Sequence, residues 1–301
     1  MSLGTRWEAL QTEVKPMLNC YKGNLHMHTA LSDGALTPEE AVLKYKKAGY
    51  DFLALTDHWV QSENGYMSGV TMLSGCEYDF GRNTVEGVYH VVGIGFESDP
   101  GITRGDGVKT AIEKIHKAGG VADIAHPAWS MNTVDQLMNA ADADYTEIFN
   151  SVSDLPANCR PYSGEVIDKC AARGLIFPMA GVDDSHWYKT EFARSFIYLF
   201  AEECSPEAVK DALFRGNFYA SQGPRLSVFR ADDRIVVDCP KEDGIEIATF
   251  FTDTVWEDER SVVGENLTHI EHRLRGHETF IRVEVRNKRG EIGWSQIIKL
   301  N

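Results

Sequence analysis

Short apolar runs alternate with amphipathic helical patterns between residues 25 and 178 of the chain. The first helix is predicted to begin at Thr37-Pro38-Glu39-Glu40, because this capping box has proline at the first helical position. Phe52-Leu53-Ala54-Leu55 follows as a buried strand. Further strands are predicted at Met72–Glu77, Val88–Phe96, Val121–Ala125, Tyr145–Phe149 and Leu175–Met179, and further helices at 108–118, Thr133–Ala140 and Pro161–Ala172. Repeated βα units of this kind are typical of a barrel-like parallel sheet.

The pattern changes after a helix predicted at Pro206–Phe214. Alternating strands such as Leu226–Phe229, Ile245–Ala248 and Phe280–Val285 predict a small antiparallel, β-sandwich-like domain. No internal repeat or low-complexity linker is visible, and Ser221-Gln222-Gly223-Pro224 is the expected boundary. We therefore expect two domains, at residues 1–222 and 223–301.

The composition fits a soluble enzyme. Apolar residues make up 43% of the 301 residues, which is enough to fill a core. A net charge of −15 repels nucleic acid and anionic membranes, so we expect no general affinity for either. Local positive charge could still serve an anionic substrate.

The six cysteines are scattered without any C-x-x-C spacing, which predicts reduced thiols and argues against a disulfide framework or a thiolate zinc site. Met1-Ser2-Leu3-Gly4 is not a basic segment followed by an apolar stretch, and no run approaches the length that spans a bilayer. A cytoplasmic protein is the expectation.

Histidines and carboxylates recur where apolar runs end. His26 and His28 form an H-x-H step at the end of the first such run. The later groups of the same kind are Asp57-His58, Glu77, His90, His126 and the Asp184-x-His186 pair. Imidazole and carboxylate are the ligands that borderline divalent metals prefer, and strand ends of a closed sheet converge on one point. The pattern predicts a multinuclear metal site.

Several motifs in this region are those of a known family. They are N-L-H-M-H-T-A-L-S-D-G at 24–34, L-T-D-H at 55–58, G-C-E at 75–77, Y-H-V-V-G at 89–93, A-H-P at 125–127 and D-D-S-H at 183–186. In this order and spacing they are highly specific, although each alone is weak. Over residues 20 to 220 the chain resembles the polymerase and histidinol phosphatase (PHP) superfamily of metal-dependent phosphoesterases.

The resemblance implies an α/β fold, a distorted (β/α)7 barrel followed by the small antiparallel β-domain, with two or three divalent ions of zinc, iron or manganese at the strand ends. It assigns His26, His28, Glu77 and Asp184 to a first metal, Glu77 as a bridge with His90 and His126 to a second, and His58 and His186, with Asp33 or Asp57 nearby, to a third. Either aspartate of Asp183-Asp184 could serve, and the D-x-H spacing favours Asp184.

The expected activity is hydrolysis of a small phosphorylated metabolite or nucleotide by attack of a metal-bound hydroxide. Cations neutralise the phosphate oxygens and lower the pKa of a bridging water. Glu77 suits the bridge because a carboxylate can bind one metal through each oxygen. Together with Glu77, Asp57 and His58 are the predicted catalytic residues. Inorganic phosphate is the expected product or inhibitor.

Other residues have both a functional and a structural interpretation. Arg160 could grip a phosphate with its planar fork or form a structural salt bridge, and Arg194 and Lys22 are weaker candidates of the same kind. Trp59, Trp129 and Trp187 lie beside motifs, where they could wall the pocket, stack a base or pack in the core. We expect His116 to be solvated, and His269, His272 and His277 to be surface groups.

Two other functions compete with the phosphoesterase. A hydrolase for a carbamate, ester or amide would be favoured by a pocket that lacks basic residues. A non-catalytic metal-binding or regulatory module would be favoured by a sealed site. The sequence leaves open whether a monoester or a diester is cleaved, the oligomeric state and the role of the C-terminal β-domain.

Overall fold

The computed structural model describes residues 18–300, so the prediction made from residues 1–4 lies outside the described part. Helices α1 to α5 span Pro38–Lys47, Val108–Lys117, Val134–Asn139, Gly164–Ala172 and Pro206–Phe214. Strands β1 to β10 span Asn19–Asn24, Phe52–Ala54, Gly65–Met67, Val70–Leu73, Gly75–Phe80, Tyr89–Ile94, Val121–Ile124, Tyr145–Asn150, Met179–Val182 and Phe196–Ala201. Strands β11 to β19 span Phe218–Ser221, Ser227–Ala231, Arg234–Asp238, Ile245–Thr252, Ser261–Val263, His269–Arg273, Phe280–Asn287, Ile292–Trp294 and Ile298–Lys299.

The first helix begins as its sequence predicts. The Thr37 side chain accepts a hydrogen bond from the backbone N–H of Glu40, and the Glu40 carboxylate accepts one from the Thr37 N–H at 3.0 Å. Ala41 and Tyr45 are buried on the inner face of this helix. Prediction and structure also agree on the bounds of α5.

Two hydrogen-bonded sheets, and no continuous barrel, surround the candidate ligands. The first sheet contains β3, β4, β2, β1, β10 and β11 in adjacent positions, and the second runs β5-β6-β7-β8-β9. Between them the described strands are joined only by isolated bridges at His58–Glu77 and Met27–Ser185. The mixed α/β fold is as predicted, but a closed (β/α)7 barrel is not confirmed.

The break between the two sheets lies inside a segment predicted as one strand, Met72–Glu77. The chain changes sheets at Ser74, whose hydroxyl donates to the Phe96 carbonyl at 2.8 Å and whose N–H donates to Asn64 Oδ1 at 2.8 Å. These hydrogen bonds replace ladder partners at the corner. Two short strands, β4 and β5, therefore occupy the predicted range.

One strand of the second sheet runs against the others. Strand β6 is antiparallel to both β5 and β7, whereas β7, β8 and β9 are parallel. The reason is the short connection between β5 and β6, which contains no helix and so forms a hairpin. His90 consequently lies near the beginning of its strand, at the same edge where the other strands end.

The C-terminal strands are antiparallel, as predicted, but most of them continue the first sheet. Strand β18 pairs with β11 through Ala220–Trp294 and Ser221–Gly293, and β17, β14 and β15 follow outward. A separate three-stranded sheet consists of β12, β13 and β16. Hydrogen bonding thus crosses the predicted boundary at residue 222. Within residues 18–300 no helix has the length and apolar character that a bilayer crossing requires.

Candidate metal centre

The candidate ligands converge at one edge of the two sheets. In each of three groups, two of which share His28, ligand atoms of the side chains all lie within 4.8 Å of one another. The groups are His28, Asp33, His58 and His186; His26, His28 and Asp184; and Glu77, His90 and His126. The structure therefore brings together nine of the candidate ligands, including Asp33, whereas Asp57, the alternative to Asp33, is in none of these groups.

Glu77 lies at the middle of this arrangement and is 1% exposed. Strand β5 presents it inward between Cys76 and Tyr78, because successive side chains of a strand point to opposite faces. Its Oε2 lies 3.2 Å from His26 Nε2, 3.0 Å from His28 Nε2 and 3.2 Å from His58 Nδ1, whereas Oε1 lies 2.6 Å from His90 Nδ1 and 3.5 Å from His126 Nε2. The two carboxylate oxygens thus face two different sets of imidazoles.

The adjacent residues Asp183 and Asp184 have different roles. Asp184 Oδ1 lies 3.3 Å from His26 Nε2 and 3.1 Å from His28 Nε2. Asp183 points elsewhere and accepts hydrogen bonds from the backbone N–H groups of residues 193–195 and from the Tyr45 hydroxyl at 2.9 Å. Asp184 is therefore the aspartate that faces the cluster, and Asp183 fixes the following loop.

Asp33 and Asp57 also differ in position. Asp33 is half-exposed, with Oδ2 3.5 Å from His186 Nε2 and Oδ1 3.4 Å from His28 Nδ1. Asp57 is buried and accepts hydrogen bonds from the backbone and hydroxyl groups of Thr29 and Ser32. Asp57 therefore holds the loop that presents Asp33.

Gly34 closes the same loop, and a Cβ there would collide with the His28 carbonyl. Glycine is consequently required where the loop passes the candidate ligand. This is a physical reason for the final glycine of the N-L-H-M-H-T-A-L-S-D-G motif.

Polar groups behind the candidate ligands orient the imidazoles, and these groups were not predicted from the sequence. Glu147 is fully buried, with Oε1 2.7 Å from His26 Nδ1 and Oε2 accepting from the His126 N–H at 2.8 Å. Asn150 Nδ2 donates to both Glu147 Oε2 and Asp184 Oδ2. Ser130 Oγ lies 3.1 Å from His126 Nδ1. The available signal was one carboxylate within the otherwise apolar run Tyr145–Phe149.

Several buried polar atoms at the cluster have no hydrogen-bond partner among the described residues. They are Glu77 Oε2, Asp184 Oδ1 and His58 Nδ1. Buried polar atoms are normally satisfied, so such a group indicates something missing from the protein atoms alone. His126 and Asp184 also have positive φ angles of 32° and 51°, a conformation that costs energy in residues other than glycine. Orphaned oxygen and imidazole atoms of this kind fit divalent cations.

Charges within the cluster oppose the effect of burial. Burial lowers the pKa of His28, but the facing carboxylates of Asp184 and Glu77 outweigh it and raise that pKa to about 9. For Glu77, burial raises the pKa, yet His26 and His90 hold it well below the ordinary range. Without cations, the carboxylates of Glu77 and Asp184 thus stay ionised while His26 and His28 retain protons. Cations and protons therefore compete for this site.

A cavity of about 240 Å³ opens over the cluster. It is lined by Asp33, His58, Glu77, His90, His126, Trp129, Val152, Ser153, Asn158, Asp184, His186 and Trp187, with no lysine or arginine among these described residues. Arg160 is exposed on the loop that supplies Ser153 and Asn158, and its backbone N–H donates to the Ser153 carbonyl at 2.9 Å. Arg194 forms an ion pair with Asp154 at 2.7 Å. Neither guanidinium lines the cavity.

The three tryptophans near the motifs have different surroundings. Trp129 lies against His90 and His126, with ring centroids 5.4 and 4.9 Å apart, and donates from Nε1 to Asn158 Oδ1 at 3.2 Å. Trp187 is 48% exposed at the other side of the cavity. Trp59 packs on aromatic rings of β5 and is not part of the cavity wall.

The histidines outside the site are mostly at the surface. His269 and His277 are exposed, as predicted. His116 is on the surface of α2, but it pairs with the buried Asp144 at 2.7 Å. The prediction for His272 is wrong: it is 4% exposed and stacks on Phe250 at 4.4 Å. Lys22 lies over the rings of Tyr50 and Phe196, away from the cavity.

Comparison with solved structures supports the fold. The chain is similar to a two-domain protein from Bacteroides vulgatus that contains a predicted PHP-like metal-dependent phosphoesterase. The TM-score is 0.55 and the identity 16%, over 96% of this chain and 98% of that one. The fold is therefore PHP-like, as the motifs predicted.

Sequence similarity to curated proteins is limited to one stretch. Over 91 residues the chain is 34% identical to the 3',5'-nucleoside bisphosphate phosphatase of Chromobacterium violaceum. The match covers 27% of this chain and 30% of that protein, so the chain spans under a third of the length of this relative. No protein-family model matches the chain.

Proposed function

We propose that the chain is a metal-dependent phosphoesterase that hydrolyses a small phosphorylated metabolite or nucleotide. The observation that supports this most strongly is the position of Glu77, whose two oxygens face separate sets of imidazoles in a cavity open to solvent. A carboxylate in that position suits a bridge between two cations. The PHP-like fold and the name of the bisphosphate phosphatase relative favour phosphate as the group attacked.

The proposed ligand sets combine the three groups of side chains with the position of Glu77, whose Oε2 faces His26 and His28. His26, His28, Glu77 and Asp184 would hold a first cation, Glu77, His90 and His126 a second, and His58, His186 and Asp33 a third. Zinc, iron and manganese all accept imidazole and carboxylate. When bound, such cations would neutralise phosphate oxygens and lower the pKa of a bound water.

The protein's own residues supply orientation. Glu147 holds the Nδ1 side of His26, so that Nε2 faces Glu77 and Asp184. Asp33 stays ionised because His186 and neighbouring imidazoles lower its pKa, and it fixes His186 at the cavity mouth. In this proposal His58 takes part in catalysis, and Asp57 acts through the loop it holds.

The order of the strands around the site supports the prediction of a (β/α)7 barrel. With the two isolated bridges counted, β1, β2, β5, β6, β7, β8 and β9 surround the cluster. We infer an opened form of the (β/α)7 barrel, with the bridges at the candidate ligands. We also propose that the chain divides into two domains between residues 222 and 223.

A second candidate is a hydrolase for a carbamate, ester or amide. The absence of lysine and arginine from the described cavity wall favours it, because a neutral substrate needs no cationic clamp. If the phosphoesterase proposal is right, a phosphate would be recognised by the cations, together with any basic side chain that reaches it from outside the described cavity wall. The open cavity, with Asp33 half-exposed, argues against a sealed, non-catalytic metal module.

The test is a substrate screen of protein reconstituted separately with zinc, iron or manganese. Phosphate monoesters, phosphate diesters, carbamates and amides are compared, with Glu77→Gln as the inactive variant and the exposed Glu113→Gln as its matched control. We expect phosphate ester turnover in wild type and Glu113→Gln, and none in Glu77→Gln. Turnover of a carbamate or amide alone would select the second candidate, and full activity of metal-loaded Glu77→Gln would remove the bridging role.

A further inference from the structure

One wall of the cavity belongs to a loop with a fixed base. This cavity loop, residues 151–163, leaves β8 and returns to it, since Tyr162 bridges Phe149 and the Asn150 N–H donates to the Pro161 carbonyl at 3.0 Å. Its outer part supplies Val152, Ser153 and Asn158 to the cavity wall. Asn158 also accepts the hydrogen bond from Trp129. The position of this loop therefore determines where its own wall residues lie and, through Asn158, where Trp129 lies.

The base of the cavity loop is held by the C-terminal β-region. The Tyr162 hydroxyl donates to Glu284 and accepts from Arg282 Nη2 at 2.9 Å, and both partners lie on β17. Arg282 forms a two-pronged pair with Asp168 of α4, at 2.6 and 2.8 Å, and donates to Glu284 at 2.6 Å. Every nitrogen of the guanidinium thus has a partner.

The arginine at the centre of this network is buried, whereas Tyr162 is 37% exposed. Arg282 is 1% exposed, and its guanidinium carbon lies 4.1 Å from the centre of the Phe251 ring. A buried guanidinium is tolerated only with well-aligned partners, because an unpaired charge there is costly. The planar fork fixes the direction of each hydrogen bond. The Tyr162 hydroxyl is consequently held on β17 by two hydrogen bonds, although its ring is partly exposed.

We propose that Arg282 and Tyr162 are positioning residues, through which the C-terminal β-region holds the cavity loop and so sets the width of the cavity over the metal centre. The C-terminal strands then contribute to substrate selection although none of their residues lines the cavity in the described chain. The placement of the loop does not depend on which bond is hydrolysed. It can be tested before any substrate is known.

The test is hydrogen–deuterium exchange of the metal-loaded full chain. Tyr162→Phe removes the hydroxyl but keeps the ring, and Tyr219→Phe is the control, because it makes the same change at a buried tyrosine whose hydroxyl accepts from the Leu226 N–H and lies outside the cavity loop. In Tyr162→Phe, we expect amides of residues 153–160 to exchange about three- to tenfold faster, as for loss of one hydrogen bond. Tyr219→Phe should leave those amides unchanged.

Two outcomes would overturn the proposal. Unchanged exchange at 153–160 in Tyr162→Phe would mean that the network does not hold the loop. Equal acceleration in both variants would mean that the tyrosines act only through general stability. Metal content is measured in each sample and should be unchanged, since neither tyrosine contacts the ligand groups.

Kinetics supply the second readout once a substrate is found. Tyr162→Phe should raise KM several-fold with kcat nearly retained, because the wall moves while the ligands do not. Arg282→Lys keeps the charge but loses the fork, so it should show the same direction of change. An equal fall of kcat in Tyr162→Phe and Tyr219→Phe would assign the effect to general stability. Failure to find phosphoesterase activity would leave the exchange result intact.

Discussion

Glu147 Oε1 lies 2.7 Å from Nδ1 of His26, and the opposite nitrogen of that imidazole faces Glu77 and Asp184. The buried carboxylate therefore determines both the tautomer and the orientation of a candidate ligand. Neither residue is exposed, so water cannot replace the contact.

Glu147→Gln should weaken metal binding while leaving the chain folded. The glutamine amide is nearly the same size as the carboxylate, but it has only one oxygen that can accept hydrogen bonds. Loss of such an outer contact typically costs about 10- to 100-fold in metal affinity. Metal content after dialysis against a graded chelator series measures the effect. The exposed Glu165→Gln, on α4, is the control. Equal metal retention in the two variants would contradict the orienting role.

Inorganic phosphate should bind the metal-loaded protein and inhibit it competitively. Several cations in one cavity would complement an oxyanion. Titration calorimetry with and without metal measures the binding. Absence of phosphate binding to the loaded protein would favour the carbamate or amide candidate.

Arg160→Ala should lower affinity for phosphorylated substrates without changing metal content, if the exposed side chain reaches a phosphate at the cavity mouth. Arg160→Lys should recover part of the loss, because an ammonium supplies charge without a planar fork. Arg173→Ala, which removes an exposed guanidinium paired with Asp135, is the control for surface charge. Steady-state kinetics on the three variants decide the matter: unchanged kinetics in Arg160→Ala would return Arg160 to a structural role.

Metal-free protein should lose stability between pH 6.5 and 9. Asp184 and Glu77 raise the folded-state pKa of His28 from 6.5 to about 9, against the effect of burial. Protonated His28 therefore stabilises the fold fully below pH 6.5, and this contribution disappears as pH rises through 9. The loss is on the order of 3 kcal/mol.

Metal-loaded protein is the control for this pH dependence, because cations replace the proton. Denaturant unfolding of loaded and chelator-treated protein at several pH values measures both free energies of unfolding. A metal-free protein whose stability stays constant over this range would show that His28 is not protonated there.

Most of the candidate ligands could be predicted because each is a polar residue at the end of a predicted apolar run, whereas Asp33 was assigned only through the resemblance to the PHP superfamily. Glu147 could not be assigned, since a single carboxylate inside a buried strand does not reveal its partner. The direction of β6 could not be predicted either, because a buried strand has the same apolar pattern in either orientation. His272 was mistaken for a surface group because Glu271 and Arg273 flank it, yet alternation along β16 turns it inward.

The pairing of strands that are distant along the chain could not be predicted from the sequence, for a different reason. Strands β11 and β18 have four and three residues and are separated by about seventy positions, so no local pattern indicates that they are neighbours. The capping boxes at Thr37 and Thr133, by contrast, act over three residues, and the helices that follow them begin where predicted.

The pairing of β11 with β18 makes the chain difficult to divide. A fragment that ended at residue 222 would leave the outer edge of β11 with unpaired N–H and C=O groups, and would uncover Phe149, whose ring stacks on Trp294 at 5.5 Å. An open strand edge beside an apolar patch invites association between copies of the fragment. The C-terminal strands therefore act as the chain's own protection against aggregation.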